Sequence, residues 1–157
     1  MNRLFYYIIN SACCLMYRKK YYQFISASNI EKVQQNKLNE ILHKNRQSKY
    51  GIEHNFDRIK TIQDFQDHIP LTTYEDYMEY IEQIKSGEKN ILTTEDVLLF
   101  EPTSGTTTGS KYIPYTASLK KEFQAGIQSW IYNLYQSIPA VKWGKSYWSI
   151  TPATYQK

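Results

Sequence analysis

The sequence predicts an α/β fold: a helical N-terminal layer followed by the first strands of a larger, incomplete domain. Three observations carry this expectation. Apolar residues recur at helical spacing as far as Gly87, and the period then changes at Val97–Phe100. The strands arrive late and few in a chain of 157 residues. After the last of them, Tyr147–Ile150, only a few residues remain, too few to supply partners, so the chain reads as cut off.

Each element follows from local signals. Leu4–Tyr17 is apolar, with Arg3 before it and Arg18, Lys19 and Lys20 behind it. It spans 14 residues and contains Asn10 and Ser11, whereas a membrane-spanning helix needs about 20 apolar residues. A helix packed on the domain is therefore preferred to a targeting segment or anchor. Ser28 and Glu31 are spaced as a capping box, and Ile30, Val33, Leu38, Ile41 and Leu42 then share a helical face, with the helix ending before Gly51. Thr61 with Asp64 opens a shorter helix carrying Ile62, Phe65 and Ile69, which Pro70 stops. Thr72 or Thr73 caps a third, with Tyr74, Tyr77, Met78, Ile81 and Ile84 on one face and Gly87 at its end.

Val97–Phe100 then reads as a buried strand, and Tyr112, Ile113 and Tyr115 as a second. Thr116 is placed to cap a long helix with Leu119, Phe123, Ile127, Trp130, Ile131 and Leu134 on one face, ended by Pro139. Gly126 within it costs about 1 kcal/mol of helix propensity, which a close packing contact would explain.

Composition narrows the function classes. Hydrophobic content of 41% and charged content of 22% exclude a disordered chain. The net charge of +4 is spread among carboxylates without a basic stripe, which argues against nucleic acid as a partner. Cys13 and Cys14 are adjacent and form neither a disulfide framework nor a zinc ligand set, so a reducing, cytoplasmic setting is expected. His43, His54 and His68 share no metal-ligand spacing, and no metal ligands are assigned. The fifteen tyrosines assign no function by themselves.

The stretch with chemical content is FEPTSGTTTGSKYIPYT, residues 100–116. Ser104, Thr106, Thr107 and Thr108 offer hydroxyls, Gly105 and Gly109 let backbone N–H groups approach a ligand, and Lys111 adds a charge. Convergent small donors of this kind suit phosphate oxygens. Ser, Thr and Gly are also what an ordinary surface loop contains, and composition does not separate the two readings. A Walker A loop needs G-x-x-x-x-G-K-[ST] leading into a helix. Here Gly105 and Gly109 are one residue too close, Ser110 precedes Lys111, and Tyr112-Ile113-Pro114-Tyr115 favours a strand. A Walker-type NTPase is thereby a minor alternative.

Thr103-Ser104-Gly105-Thr106-Thr107 with Gly109 and Lys111 resembles the ATP loop of the adenylate-forming superfamily, the acyl-CoA synthetase and luciferase group. Lys111–Tyr115, Gly51, the segment IPLTTYEDYMEYIEQIKSGEKNILT (69–93) and YWSITP (147–152) narrow the resemblance to the auxin-responsive Gretchen Hagen family of acyl-acid amido synthetases. It covers the chain from about Asn29. Thr108 and Ser110 depart from the wider superfamily, which often has glycine and proline there. The resemblance implies a ligase that uses ATP and magnesium to activate a small carboxylic acid, then transfers the acyl group to an amino acid or amine. Ser104, Thr106 and Thr107 would be hydroxyl donors to the phosphates, Gly105 and Gly109 backbone donors, and Lys111 a charge partner.

By the same resemblance, the helix from Ala117 and residues 147–154 would border the acid pocket. Residues 1–157 would be a partial, loop-bearing portion of the large domain. The segments that hold adenine and ribose, a metal-binding carboxylate and the C-terminal domain would be absent. Such a portion alone is expected to be inactive and poorly soluble. The competing expectation, from another class, is a small non-enzymatic binding module in which the Thr-rich loop only connects two segments.

Overall fold

The computed structural model describes residues 2–103 and 111–148. It is α/β in composition, mostly helical with one small sheet. The chain divides into two compact units, one from residues 1–28 and 118–152, the other from 29–117 and 153–157.

In the first unit, α1 (Arg3–Ile25) is started by Asn2, whose side-chain oxygen accepts from the Leu4 N–H at 3.3 Å. Its inner face is aromatic and polar. Cys14 is buried against Tyr132 and Tyr135 of α6 (Ala117–Ser137), with Tyr17, Tyr21 and Ile131 packed around them. Asn10, which interrupts the apolar run in the sequence, donates through Nδ2 to the carbonyls of Lys142 (2.9 Å) and Gly144 (3.1 Å). Beside it, Tyr7 stacks on Trp143 with ring centroids 4.3 Å apart. The helix is therefore packed, as expected, but by its polar breaks rather than by its aliphatic residues. Leu4, Phe5, Ile8, Leu15 and Met16 are exposed. Among the described residues, no helix is long and apolar enough to cross a membrane.

Two expectations for α6 are corrected. Phe123 and Trp130 are exposed, and the buried residues are Tyr132 and Tyr135, because α1 meets a different face from the aliphatic one. Gly126 has open space where a Cβ would stand, so no close contact explains it. Ser137 ends the helix before Pro139, which opens a 3₁₀ turn, Pro139–Trp143. Tyr147 and Trp148 are not in a strand, and the rest of the predicted 147–150 strand lies outside the described residues.

The second unit begins with α2 (Ile30–Asn45). Its cap is Asn29, accepting from Lys32 N–H at 2.8 Å, one residue later than the predicted Ser28. Leu42 is buried on this helix and Leu38 packs beside it, whereas Ile30, Val33 and Ile41 are exposed. Gly51 does not follow the helix as a stop. It lies inside a second short helix, α3 (Lys49–Glu53). Fully buried Ser48 caps α3, accepting from Gly51 N–H at 3.0 Å and donating to the Asn45 carbonyl at 2.7 Å. The first free N–H groups of α3 are satisfied by the 90–91 backbone, Lys49 to Asn90 O (2.7 Å) and Tyr50 to Ile91 O (3.0 Å).

The predicted Thr61–Asp64 capping box opens α4 (Ile62–His68), with Asp64 N–H to Thr61 Oγ1 at 3.0 Å and Thr61 N–H to Asp64 Oδ2 at 2.9 Å. A 3₁₀ turn, Glu75–Tyr77, leads into α5 (Met78–Lys85), and Gly87 at φ 98° follows it. Neither Thr72 nor Thr73 caps this segment: no side-chain cap hydrogen bond opens the turn or α5, and Asp76 instead accepts from the Thr73 N–H at 2.7 Å and its hydroxyl at 3.0 Å. The core is Leu42, Tyr50, Phe56 and Ile59, covered by Phe65, Ile69, Tyr77 and Tyr80 among others. β1 (Val97–Pro102) and β2 (Tyr112–Thr116) form an antiparallel pair with a bulge between Val97 and Leu99. No residue of β1 is fully buried, because β2 is its only described partner and Leu98 faces solvent.

Candidate functional site

The hairpin arranges the ends of the Thr/Ser/Gly stretch. Pro102 pairs with Tyr112 in the ladder, and beyond it the Thr103 N–H donates to the Lys111 carbonyl at 2.8 Å. The strand, loop, strand and helix order expected from Ile113-Pro114 is therefore present, with α6 beginning only after Thr116. Ser104, Gly105, Thr106, Thr107, Thr108 and Gly109 lie outside the described residues, and Lys111 alone of the predicted site residues lies within them.

Lys111 sits in a built environment. Its Nζ is 3.6 Å from Glu75 Oε1 and 5.1 Å from the centre of the Tyr74 ring. Its side chain is 40% exposed and that of Glu75 60%, so the pair is long, solvated and weak. The Glu75 carboxyl is held below its usual range, first by its own backbone N–H, then by the Thr73 hydroxyl, with Lys111 adding attraction.

Tyr74 ties this corner to β2. The Tyr112 N–H donates to the Tyr74 hydroxyl at 2.7 Å, and that hydroxyl faces the Tyr112 carbonyl at 3.5 Å. On the ring of Tyr112 stands Lys85, its Nζ 4.2 Å from the centroid. The residue following Lys111 is thus fixed by its backbone and by its ring, and both contacts come from the 74–85 segment.

Sequence reasoning gave Tyr74 to a helix face and missed Glu75 and Lys85. Pro70 and the paired Thr72-Thr73, which break the helix before Tyr74, were the available signal.

This arrangement presents a cation at the mouth of a loop whose ends are clamped by backbone hydrogen bonds. The donor chemistry fits a phosphate: one partly exposed ammonium, engaged among the described residues by a solvated carboxylate and the Tyr74 ring, next to a sequence of hydroxyls and glycines. Among the described residues, no group of three His, Cys, Asp or Glu is placed to hold a metal ion.

Behind the corner lies a phenol network. Tyr50 and Tyr77 hydroxyls are 3.3 Å apart, and Thr72 Oγ1 meets the Tyr77 hydroxyl at 2.9 Å. Tyr80 donates to Glu53 at 2.6 Å, and this bond pushes its phenol up to about 12. Burial raises the Tyr50 phenol as well. The Tyr50 and Tyr80 phenols stay neutral at physiological pH, and the network acts as a set of structural ties.

Comparison with known proteins places this geometry in context. A model of the GH3 family N-terminal domain matches residues 22–157. A protein of Oryza sativa subsp. japonica named as indole-3-acetic acid-amido synthetase GH3.10 is 28% identical over 123 residues, 75% of this chain and 25% of the relative. Indole-3-acetic acid-amido synthetase GH3.8 of Oryza sativa subsp. indica is 32% identical over 85 residues, 54% of this chain and 14% of that protein. The solved structure of AtGH3.15 acyl acid amido synthetase in complex with 2,4-DB matches with a TM-score of 0.63 at 25% identity, over 81% of this chain and 21% of the other. The chain spans about a quarter of the length of these relatives or less.

Proposed function

Because this chain belongs to the GH3 family, we propose that its Thr/Ser/Gly hairpin loop holds the outer phosphates of ATP in a ligase that joins a carboxylic acid to an amino acid. The observation that carries the reading is the clamped hairpin with Lys111 at its mouth. The relatives' names, amido synthetases for indole-3-acetic acid and for acyl acids, support the substrate classes.

ATP bound with magnesium supplies an α-phosphorus that the carboxylate attacks, releasing pyrophosphate; an amine then takes the acyl group and AMP leaves. The work of this chain's residues is positional and electrostatic. Ser104, Thr106 and Thr107 donate hydroxyl hydrogens, Gly105 and Gly109 backbone N–H groups, and Lys111 a positive charge. Held this way, the β- and γ-phosphates keep the α-phosphorus in line for attack. The Thr103–Lys111 closure and the Tyr74–Tyr112 contact keep the loop ends from spreading when the phosphates pull on them.

Titration of the chain with Mg-ATP tests this reading by calorimetry. Thr106→Val loses one donor at nearly constant volume and weakens binding by about 1–3 kcal/mol. Tyr22→Phe leaves it unchanged. Equal effects from both substitutions reject the loop as the site and favour a connector in a small binding module.

Residues 1–157 by themselves release no pyrophosphate from ATP with a carboxylic acid, since they span only a quarter of the relatives' length. Acid-dependent release by this chain overturns that part.

A further inference from the structure

Lys111 has two neighbours with opposite demands. The Tyr74 ring, 5.1 Å from Nζ, attracts the ammonium whatever else binds it. Glu75, 3.6 Å away, is an anion that occupies the same charge a phosphate would need. Tyr74 and Glu75 are consecutive, and the Tyr74 hydroxyl is hydrogen-bonded to the backbone of Tyr112, next to Lys111. One short segment therefore fixes both the cation's backbone and its counter-ion.

We propose that Glu75 is a stand-in anion that parks Lys111 against the Tyr74 ring and yields it to a phosphate oxygen when a nucleotide arrives. The proposal rests on the phosphate-binding reading and adds a role that runs against simple contact counting: Glu75 lowers nucleotide affinity while keeping the site pre-shaped. The separation and the solvation of the pair make the exchange cheap. At 3.6 Å and largely in water, the pair is worth little, whereas a phosphate brings more charge and more acceptor oxygens. Tyr74 is a positioning residue in this scheme and Glu75 acts only through Lys111.

Mg-ATP affinity of the full chain decides it. Glu75→Gln removes the competing charge and tightens binding by about threefold at low salt, the size expected for one solvated unit charge several ångströms away. The gain shrinks as ionic strength rises towards 0.5 M, where screening acts over about 4 Å. In a Lys111→Met background, Glu75→Gln brings little or no gain, because the carboxylate has no cation left to hold.

A purely structural role for Glu75 gives the opposite pattern: weaker binding, no salt dependence and a lower melting temperature. If wild type binds ATP and Glu75→Gln leaves affinity unchanged or weaker, the stand-in role falls while phosphate binding stands. If wild type shows no ATP binding, the phosphate reading falls and takes this role with it.

Discussion

Gly51 and Gly126 are both helical glycines, and they have opposite reasons to be there. A Cβ on Gly51 would overlap the Asn45 carbonyl oxygen and lie 3.1 Å from its carbon and from Ser48 Oγ, at the point where α3 packs back on the end of α2. Gly51→Ala should therefore destabilise by about 1–3 kcal/mol, the range for overpacking, read as a lowered urea midpoint. Around Gly126 there is open space, so Gly126→Ala should stabilise α6 by about 0.5–1 kcal/mol in the same assay. The sequence marks both positions with the same letter. It showed neither which was crowded nor that Gly51 belongs to a helix, because the crowding atom comes from a turn that only the folded chain closes.

At the scale of elements, one cap was legible in full. Thr61 and Asp64 were identified from spacing alone, since a capping box is local in sequence and its geometry needs no tertiary help. The Asp64 carboxyl is held below its ordinary range by the N–H of Lys60 first, then by the Thr61 hydroxyl and N–H. A carboxyl depressed on folding contributes stability above its unfolded value and loses it as pH falls through the folded one. The gap in urea midpoint between wild type and Asp64→Asn should accordingly be present at neutral pH and close below about pH 4. A gap that persists in acid rejects the charge-dependent cap. The α2 cap moved from Ser28 to Asn29 because both are good caps and spacing cannot rank neighbours. In the hairpin, Tyr74→Phe keeps the ring under Lys111 but leaves the Tyr112 N–H without its acceptor. Exchange of the Tyr112 amide should speed up about fivefold or more, in keeping with one lost hydrogen bond. An unchanged rate removes Tyr74 as the tie.

At the scale of the molecule, stability is divided between separate clusters. In the unit from 29 to 117, Leu42 is 3% exposed and packs with Tyr50, Phe56 and Ile59. Leu42→Ala should cost about 2–5 kcal/mol, seen as faster amide exchange at Tyr50, Phe56 and Ile59. The other unit uses Cys14, Tyr132 and Tyr135, none of which the sequence marked as core.

The sequence by itself determined the α/β class, most helices, the hairpin order around the loop and the family, because these follow from periodicity, caps, prolines and a motif, all local in the chain. The tertiary structure decided which faces are buried. On α6 the longest apolar stripe lost to two tyrosines, since burial is set by the surface that arrives to cover it. The same reason hid Tyr74 and Glu75: their meaning lies in Lys111 and Tyr112, more than thirty residues away in sequence and in contact only once the chain has folded.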